Sequence, residues 1–180
     1  MSLRASYKHS NIDLTINQKI KADFETAKGY TGRVFYEDSL ADPTSLDERI
    51  TTLGYWIEVR ILSHGMGQKQ PTVVQIDCYH NVGDRNTQAA GDRYGHKTTA
   101  IADNFVDAMA TADLAIRIQD FSTPLSPTNT DDWIIIRNQF GQFGWPTRRD
   151  RIPNDKGIIR EVLTYHFWHM QDLSGVQGYF

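Results

Sequence analysis

The chain has 180 residues and a mass of 20.6 kDa, with 39% apolar residues, 23% charged residues, one cysteine and a net charge of −3. A chain of this length builds one core without staples, so one domain over 1–180 is expected, with its core over about 11–170 and a flexible tail over 171–180. The lone Cys78 excludes a disulfide scaffold, no run approaches the roughly 18 apolar residues of a membrane span, and the weak negative charge excludes a broadly basic nucleic-acid coat.

The opening Met1-Ser2-Leu3-Arg4-Ala5-Ser6-Tyr7 has no apolar centre of the signal-peptide kind. Ile12, Ile16, Ile20, Phe24 and Ala27 then recur at spacings of four and three, which predicts an amphipathic helix. Ser10 and Asp13 resemble a capping box at its start, and Gly29 is the natural stop. Asn17, Lys21, Glu25 and Lys28 fall on the opposite, wet face.

A short strand is expected at 33–36, followed by an acidic loop that carries Glu37, Asp38, Asp42, Asp47 and Glu48 around Pro43. Tyr55, Ile57, Val59 and Ile61 alternate with Trp56, Glu58, Arg60 and Leu62, and Val74, Ile76 and Cys78 alternate with Val73, Gln75, Asp77 and Tyr79. Period two with one apolar face predicts a half-buried antiparallel pair. The loop between them holds Gly65-Met66-Gly67 and Lys69, and a protruding loop of this kind places Met66 and Lys69 within reach of a partner.

A second amphipathic helix is expected over about 92–110, with Tyr94, Thr98, Ile101, Ala102, Phe105, Ala108 and Met109 on one face. Leu114, Ile116 and Ile118 read as a third strand, and Trp133-Ile134-Ile135-Ile136 as a short buried one. Residues 138–157 read as a long connection rich in Gly, Pro, aromatics and Arg. The last strand carries Ile159, Leu163, Tyr165 and Phe167 on one face, interrupted by Glu161, with Arg160, Val162, Thr164, His166 and Trp168 on the other. The expected fold class is α+β: a single antiparallel β-sheet with two main amphipathic helices packed on one face.

Catalytic motifs are missing from the sequence. There is no GxSxG, no HExxH and no phosphate-binding GxxxxGK[ST]. Cys78 shares a strand face with Val74 and Ile76, so it reads as a small buried apolar residue rather than a nucleophile. His166 and His169 form an HxxH pair, but on a strand residues three apart face opposite ways, so no zinc site is expected. No cofactor and no metal are expected.

The most distinctive segment runs from Asn138 to Pro153. Its Phe140, Phe143 and Trp145 argue against simple disorder, and aromatics with Arg148, Arg149 and Arg151 are the types enriched at protein interfaces. Phe143, Trp145, Arg148, Arg149 and Arg151, with Met66 and Lys69, are therefore the expected subunit or partner contacts. Packing of the segment over its own core is the second reading, and stacking of single-stranded nucleic acid the third.

The order of segments resembles the tail terminator proteins of long-tailed bacteriophages. It consists of an N-terminal helix, the 55–62 and 73–79 hairpin, the helix around Thr99-Ala100-Ile101-Ala102-Asp103-Asn104-Phe105, and a later antiparallel pair ending in Thr164-Tyr165-His166-Phe167. The resemblance implies a non-enzymatic virion protein. It would assemble head to tail into a ring, by the family a hexamer, that caps the tail tube and joins it to the neck or head-completion protein. DNA would pass the lumen without specific binding. Another neck or head-completion protein is the neighbouring reading. A small enzyme, with His80, His96 and Asp92 as first suspects, and a single-stranded nucleic-acid binder are the more distant ones.

Overall fold

A computed structural model describes residues 9–36, 53–63, 71–81, 96–111, 115–120, 128–137, 144–152 and 158–171. In chain order these form α1 (His9–Ile20), a π-helical segment (Lys21–Thr26), β1 (Val34–Tyr36), β2 (Tyr55–Ser63), β3 (Thr72–Asn81), α2 (His96–Thr111), β4 (Ala115–Asp120), β5 (Thr128–Arg137), β6 (Arg148–Ile152) and β7 (Ile158–Gln171). The α+β class stands, with one sheet and two helical elements.

The first helix differs from its expectation in form. Steps of four residues overshoot the 3.6-residue turn by about 40° each, so the stripe Ile12, Ile16, Ile20, Phe24 walks round a regular α-helix. The chain widens its last turns instead, and Ala27 N–H bonds to Ala22 C=O five residues back at 3.3 Å. All four stripe residues are buried, whereas Ala27 is exposed and Glu25, expected on the wet face, is buried. The helix begins at His9, which puts Ser10 in the first turn rather than at the N-cap.

The stop is at Gly29 as expected, with φ +76°. Tyr30 N–H reaches Glu25 C=O at 2.8 Å and Gly29 N–H reaches Thr26 C=O at 3.4 Å, the paired bonds of a Schellman end. Tyr30 stacks on Phe24 with ring centroids 4.4 Å apart, which supplies the apolar contact that goes with that motif.

The sheet runs β1-β2-β3-β7-β5-β4, and β6 also pairs with β7. β7 is long enough to hold β3 along one side and two strands end to end along the other: β6 opposite 160–164 and β5 opposite 166–171. One expectation is corrected here. β1 is parallel to β2, with Val34 opposite Ile57, so the sheet is mixed rather than purely antiparallel. Parallel neighbours need a crossover of a dozen or more residues, and the 37–54 connection has that length.

Both helices cover the same face. Ile12, Ile16, Ile20 and Phe24 meet Ile101, Phe105 and Met109 of α2 above Ile57, Val59, Val74, Ile76, Cys78, Leu163, Tyr165 and Phe167 of the sheet. The helical elements also grip each other. Phe24 and Phe105 lie 4.9 Å apart, Asn104 Nδ2 donates to the Tyr30 hydroxyl at 3.0 Å, and Lys28 pairs with Asp107. α2 buries the predicted stripe from Thr98 to Met109, while Asp92 and Tyr94 lie outside the described residues.

The opposite sheet face is built on charge. Asp77, fully buried, accepts from Gln75 Nε2 at 2.8 and 2.9 Å and from Arg160 Nη2 at 2.9 Å, and Arg60 lies 3.5 Å away. Glu58 accepts from Trp56 Nε1 at 3.1 Å and Arg60 at 2.5 Å, and Trp56 stacks on Tyr79 at 4.8 Å. These partners come from β2, β3 and β7, so the network pins the register of three adjacent strands.

Candidate partner-contact surface

The surface is built around β6, which lies inside the 138–157 segment expected to be a long connection rather than a strand. A strand forms there because its alternate residues find ionic rather than apolar partners. Gly144 starts the approach. It has φ +75°, and a Cβ at this position would sit 2.4 Å from Ala110 Cα in α2. Only glycine allows the chain this close to the helix.

Trp145 follows and is 53% exposed. Thr147 then anchors the strand, since both its N–H and its Oγ1 donate to Thr164 C=O, at 2.7 and 3.1 Å. From Arg148 the side chains alternate. Arg149 and Arg151 share the helix-covered face with Leu163 and Glu161, while Arg148, Asp150 and Ile152 lie on the other face.

On the helix side, Glu161 is buried among cations. Arg149 Nε donates to its Oε1, Thr99 Oγ1 donates to its Oε2 at 3.2 Å, and Arg151 stands 3.9 Å from Oε2. Arg149 also donates to Asp103 Oδ1 at 2.7 Å, and Arg151 donates to the Thr99 hydroxyl. Burial works to lower the Arg149 pKa, but the bonds to Glu161 and Asp103 outweigh it and leave it raised. The cluster ties β6 to β7 and to α2, so the strand is held from two sides.

The seven predicted contact residues therefore divide. Trp145 and Arg148 are exposed, with Arg148 beside Asp150 at 2.5 Å and Ile152 also open to solvent. Arg149 and Arg151 are engaged within the chain, which is the self-packing reading for these two. Met66, Lys69 and Phe143 lie outside the described residues.

Asp103 and Thr99 were missed by sequence reasoning. Glu161 was visible as the one carboxylate interrupting an apolar strand face, and that interruption was the signal that a buried ion pair waited there.

The groups considered for chemistry fall as follows. Cys78 is fully buried, and burial, with the Glu161 and Asp77 carboxylates, pushes its thiol up, which keeps it a neutral thiol. His80 is buried on β3, and His96 is the first residue of α2. His166 and His169 sit on β7, opposite Val73 and Ile134, so the HxxH spacing is that of a strand. Burial lowers the His166 pKa. Among the described residues no group of three His, Cys, Asp or Glu side chains could hold a metal ion. No described helix is long and apolar enough to cross a membrane.

No protein-family model matches the chain, and no curated protein matches it in sequence.

Proposed function

We propose that this chain is a structural assembly protein of the phage tail terminator kind, a subunit that joins copies of itself into a ring at the end of a tail tube. The observation that carries the reading is the β6 surface. Trp145 just before β6, and Arg148 and Ile152 on it, are exposed, on a strand with one neighbour among the described strands that Gly144, Thr147 and the Glu161 cluster hold against the core. Aromatic and Arg anchors on a pre-ordered support are the parts of a protein contact, because little ordering entropy remains to be lost on binding. The order of helix, hairpin, helix and antiparallel strands agrees with the resemblance.

The same geometry disfavours a nucleic-acid groove. Arg149 and Arg151 already face Glu161 and Asp103, and Arg148 stands beside Asp150, so all three nearby cations have a carboxylate partner within the chain. The proposed partners are further copies of this chain, the tail tube protein and the neck or head-completion protein, and the proposed location is the tail–neck junction of the virion.

The test is tube capping. Purified chain added to polymerising tail tube protein should stop elongation and appear as extra density at tube ends in negative stain. Tubes that grow to the same length with bare ends would overturn the terminator reading.

A further inference from the structure

Among the described residues, β6 is held by its backbone ladder and by charge. Four of its five side chains are exposed and Asp150 is half-buried, so the strand buries none of them. β7 beside it is the reverse, since Glu161, Val162 and Leu163, opposite Arg151, Asp150 and Arg149, are all buried. β2 and β3 bury Ile57, Val59, Val74, Ile76 and Cys78. Apolar burial is the dominant favourable contribution to folding, so a strand without it opens at lower free energy than core strands do.

A clasp with two arms takes the place of apolar burial. The inner arm runs from Arg149 to the buried Glu161, and the outer arm from Arg149 to Asp103 of α2, whose carboxylate is more than half exposed. Arg151 supports the inner arm through the Thr99 hydroxyl. One guanidinium holds both arms, so β7 and α2 let go of the strand together. Opening also wets Glu161, which removes the penalty that a buried carboxylate without its partner would otherwise carry.

We propose that β6 is an ionic latch: it opens from β7 as one unit while β2, β3 and β7 stay folded, and the carboxylates of Glu161 and Asp103 set how often it opens. Arg148 and Ile152 stand on this strand and Trp145 leads into it, so a closed latch is what presents them in fixed register. The latch is a property of the single chain and does not depend on the ring reading.

Native-state amide exchange tests it, in dilute solution and in the regime where exchange reports opening equilibria. In the unsubstituted chain the protected amides of 147–152, Thr147 N–H on Thr164 C=O among them, should exchange at least roughly tenfold faster than those of 74–78 on β3. Equal rates would mean that β6 opens only with the whole molecule, which overturns the proposal. Ile57→Val weakens a core contact that an open latch keeps. It should speed exchange over 74–78 about fivefold and leave 147–152 unchanged. Equal acceleration of both segments would again tie β6 to global unfolding and overturn the latch.

The clasp is read by two neutral substitutions. Glu161→Gln keeps the side-chain shape, removes the inner charge and should speed exchange over 147–152 roughly tenfold or more. Asp103→Asn acts at the exposed end, where folding is not at risk, and should speed the same amides about threefold. Arg148→Ala, which removes a cation outside the clasp, should leave them unchanged. If the two carboxylate variants exchange over 147–152 at the unsubstituted rate, or if Arg148→Ala speeds exchange as much as they do, charge at Glu161 and Asp103 does not govern the strand and the proposal fails.

Discussion

Arg149 on β6 and Glu161 on β7 form an ion pair whose acidic member is 4% exposed and whose basic member also reaches Asp103 of α2. This pair is what makes an arginine-rich segment a strand of the sheet instead of a loose connection. The exposed neighbour Arg148, one residue earlier, has its side chain on the other face and takes no part in it.

That contrast gives the first prediction. Removing the Arg149 side chain leaves Glu161 buried with, among the described residues, Thr99 and a distant Arg151. Fully buried pairs cost about 3–5 kcal/mol when one partner is lost, and partial exposure of Arg149 reduces this, so Arg149→Ala should cost about 2 kcal/mol. Arg148→Ala should stay within about 0.5 kcal/mol. Urea unfolding of both variants at unchanged m-value checks the difference, and equal losses would contradict the assignment of the two arginines.

Gly144 and Gly29 both have positive φ, but only Gly144 meets another backbone where a Cβ would go. Gly29→Ala therefore carries the left-handed penalty alone, roughly 1–2 kcal/mol. Gly144→Ala adds a clash with the Ala110 backbone that no rotamer can relieve, and should cost about 3 kcal/mol or more. Thermal unfolding of the two variants side by side should rank them in that order.

The buried Tyr165 and the half-buried Tyr36 and Tyr79 predict an alkaline limit to stability. Burial raises the Tyr165 hydroxyl well above its ordinary value. Burial, with the Glu58 and Asp77 charges, raises Tyr79 to about 12, and burial with the Glu25 charge raises Tyr36 further. The unfolded chain loses these protons near pH 10 while the folded chain keeps them, so the folded state binds more protons. Stability is complete below about pH 10 and falls as the pH rises beyond it. Tyrosinate absorbance and far-ultraviolet circular dichroism should therefore change together above that pH for these residues. Full ionisation near pH 10 with the fold intact would contradict their burial.

Trp145 separates assembly from folding. More than half exposed, it should change stability by no more than about 0.5 kcal/mol when replaced by Ala. As an interface anchor its loss should weaken subunit association by about 2 kcal/mol, roughly thirtyfold. Sedimentation at several concentrations reads the second effect and melting reads the first. Loss of stability with unchanged association would make Trp145 a core residue instead.

Much of the fold was legible because it follows local period. Ile12, Ile16, Ile20 and Phe24 named a helix face, and Tyr55 to Ile61 against Val74 to Cys78 named a strand pair and its inward face. What was not legible depended on distant partners. The direction of β1 is set by where an 18-residue connection returns, which no pattern within Val34-Phe35-Tyr36 records. β6 lacks apolar alternation, because Arg149 finds its partners in Asp103, 46 positions away, and in Glu161. The π-helical widening was implicit in the unbroken four-residue spacing, but that spacing also fits a regular helix over a shorter run. Of the candidate surface, the aromatic and arginine content pointed to the segment, while the split between exposed Trp145 and Arg148 and engaged Arg149 and Arg151 required the register of β6 on β7.

The most direct measurement is native mass by light scattering over a concentration series, with negative-stain images of the same samples. Head-to-tail association predicts a discrete multi-subunit species that grows with concentration and shows a central hole. A mass that stays at the 20.6 kDa of one chain at every concentration would contradict self-assembly through the β6 surface.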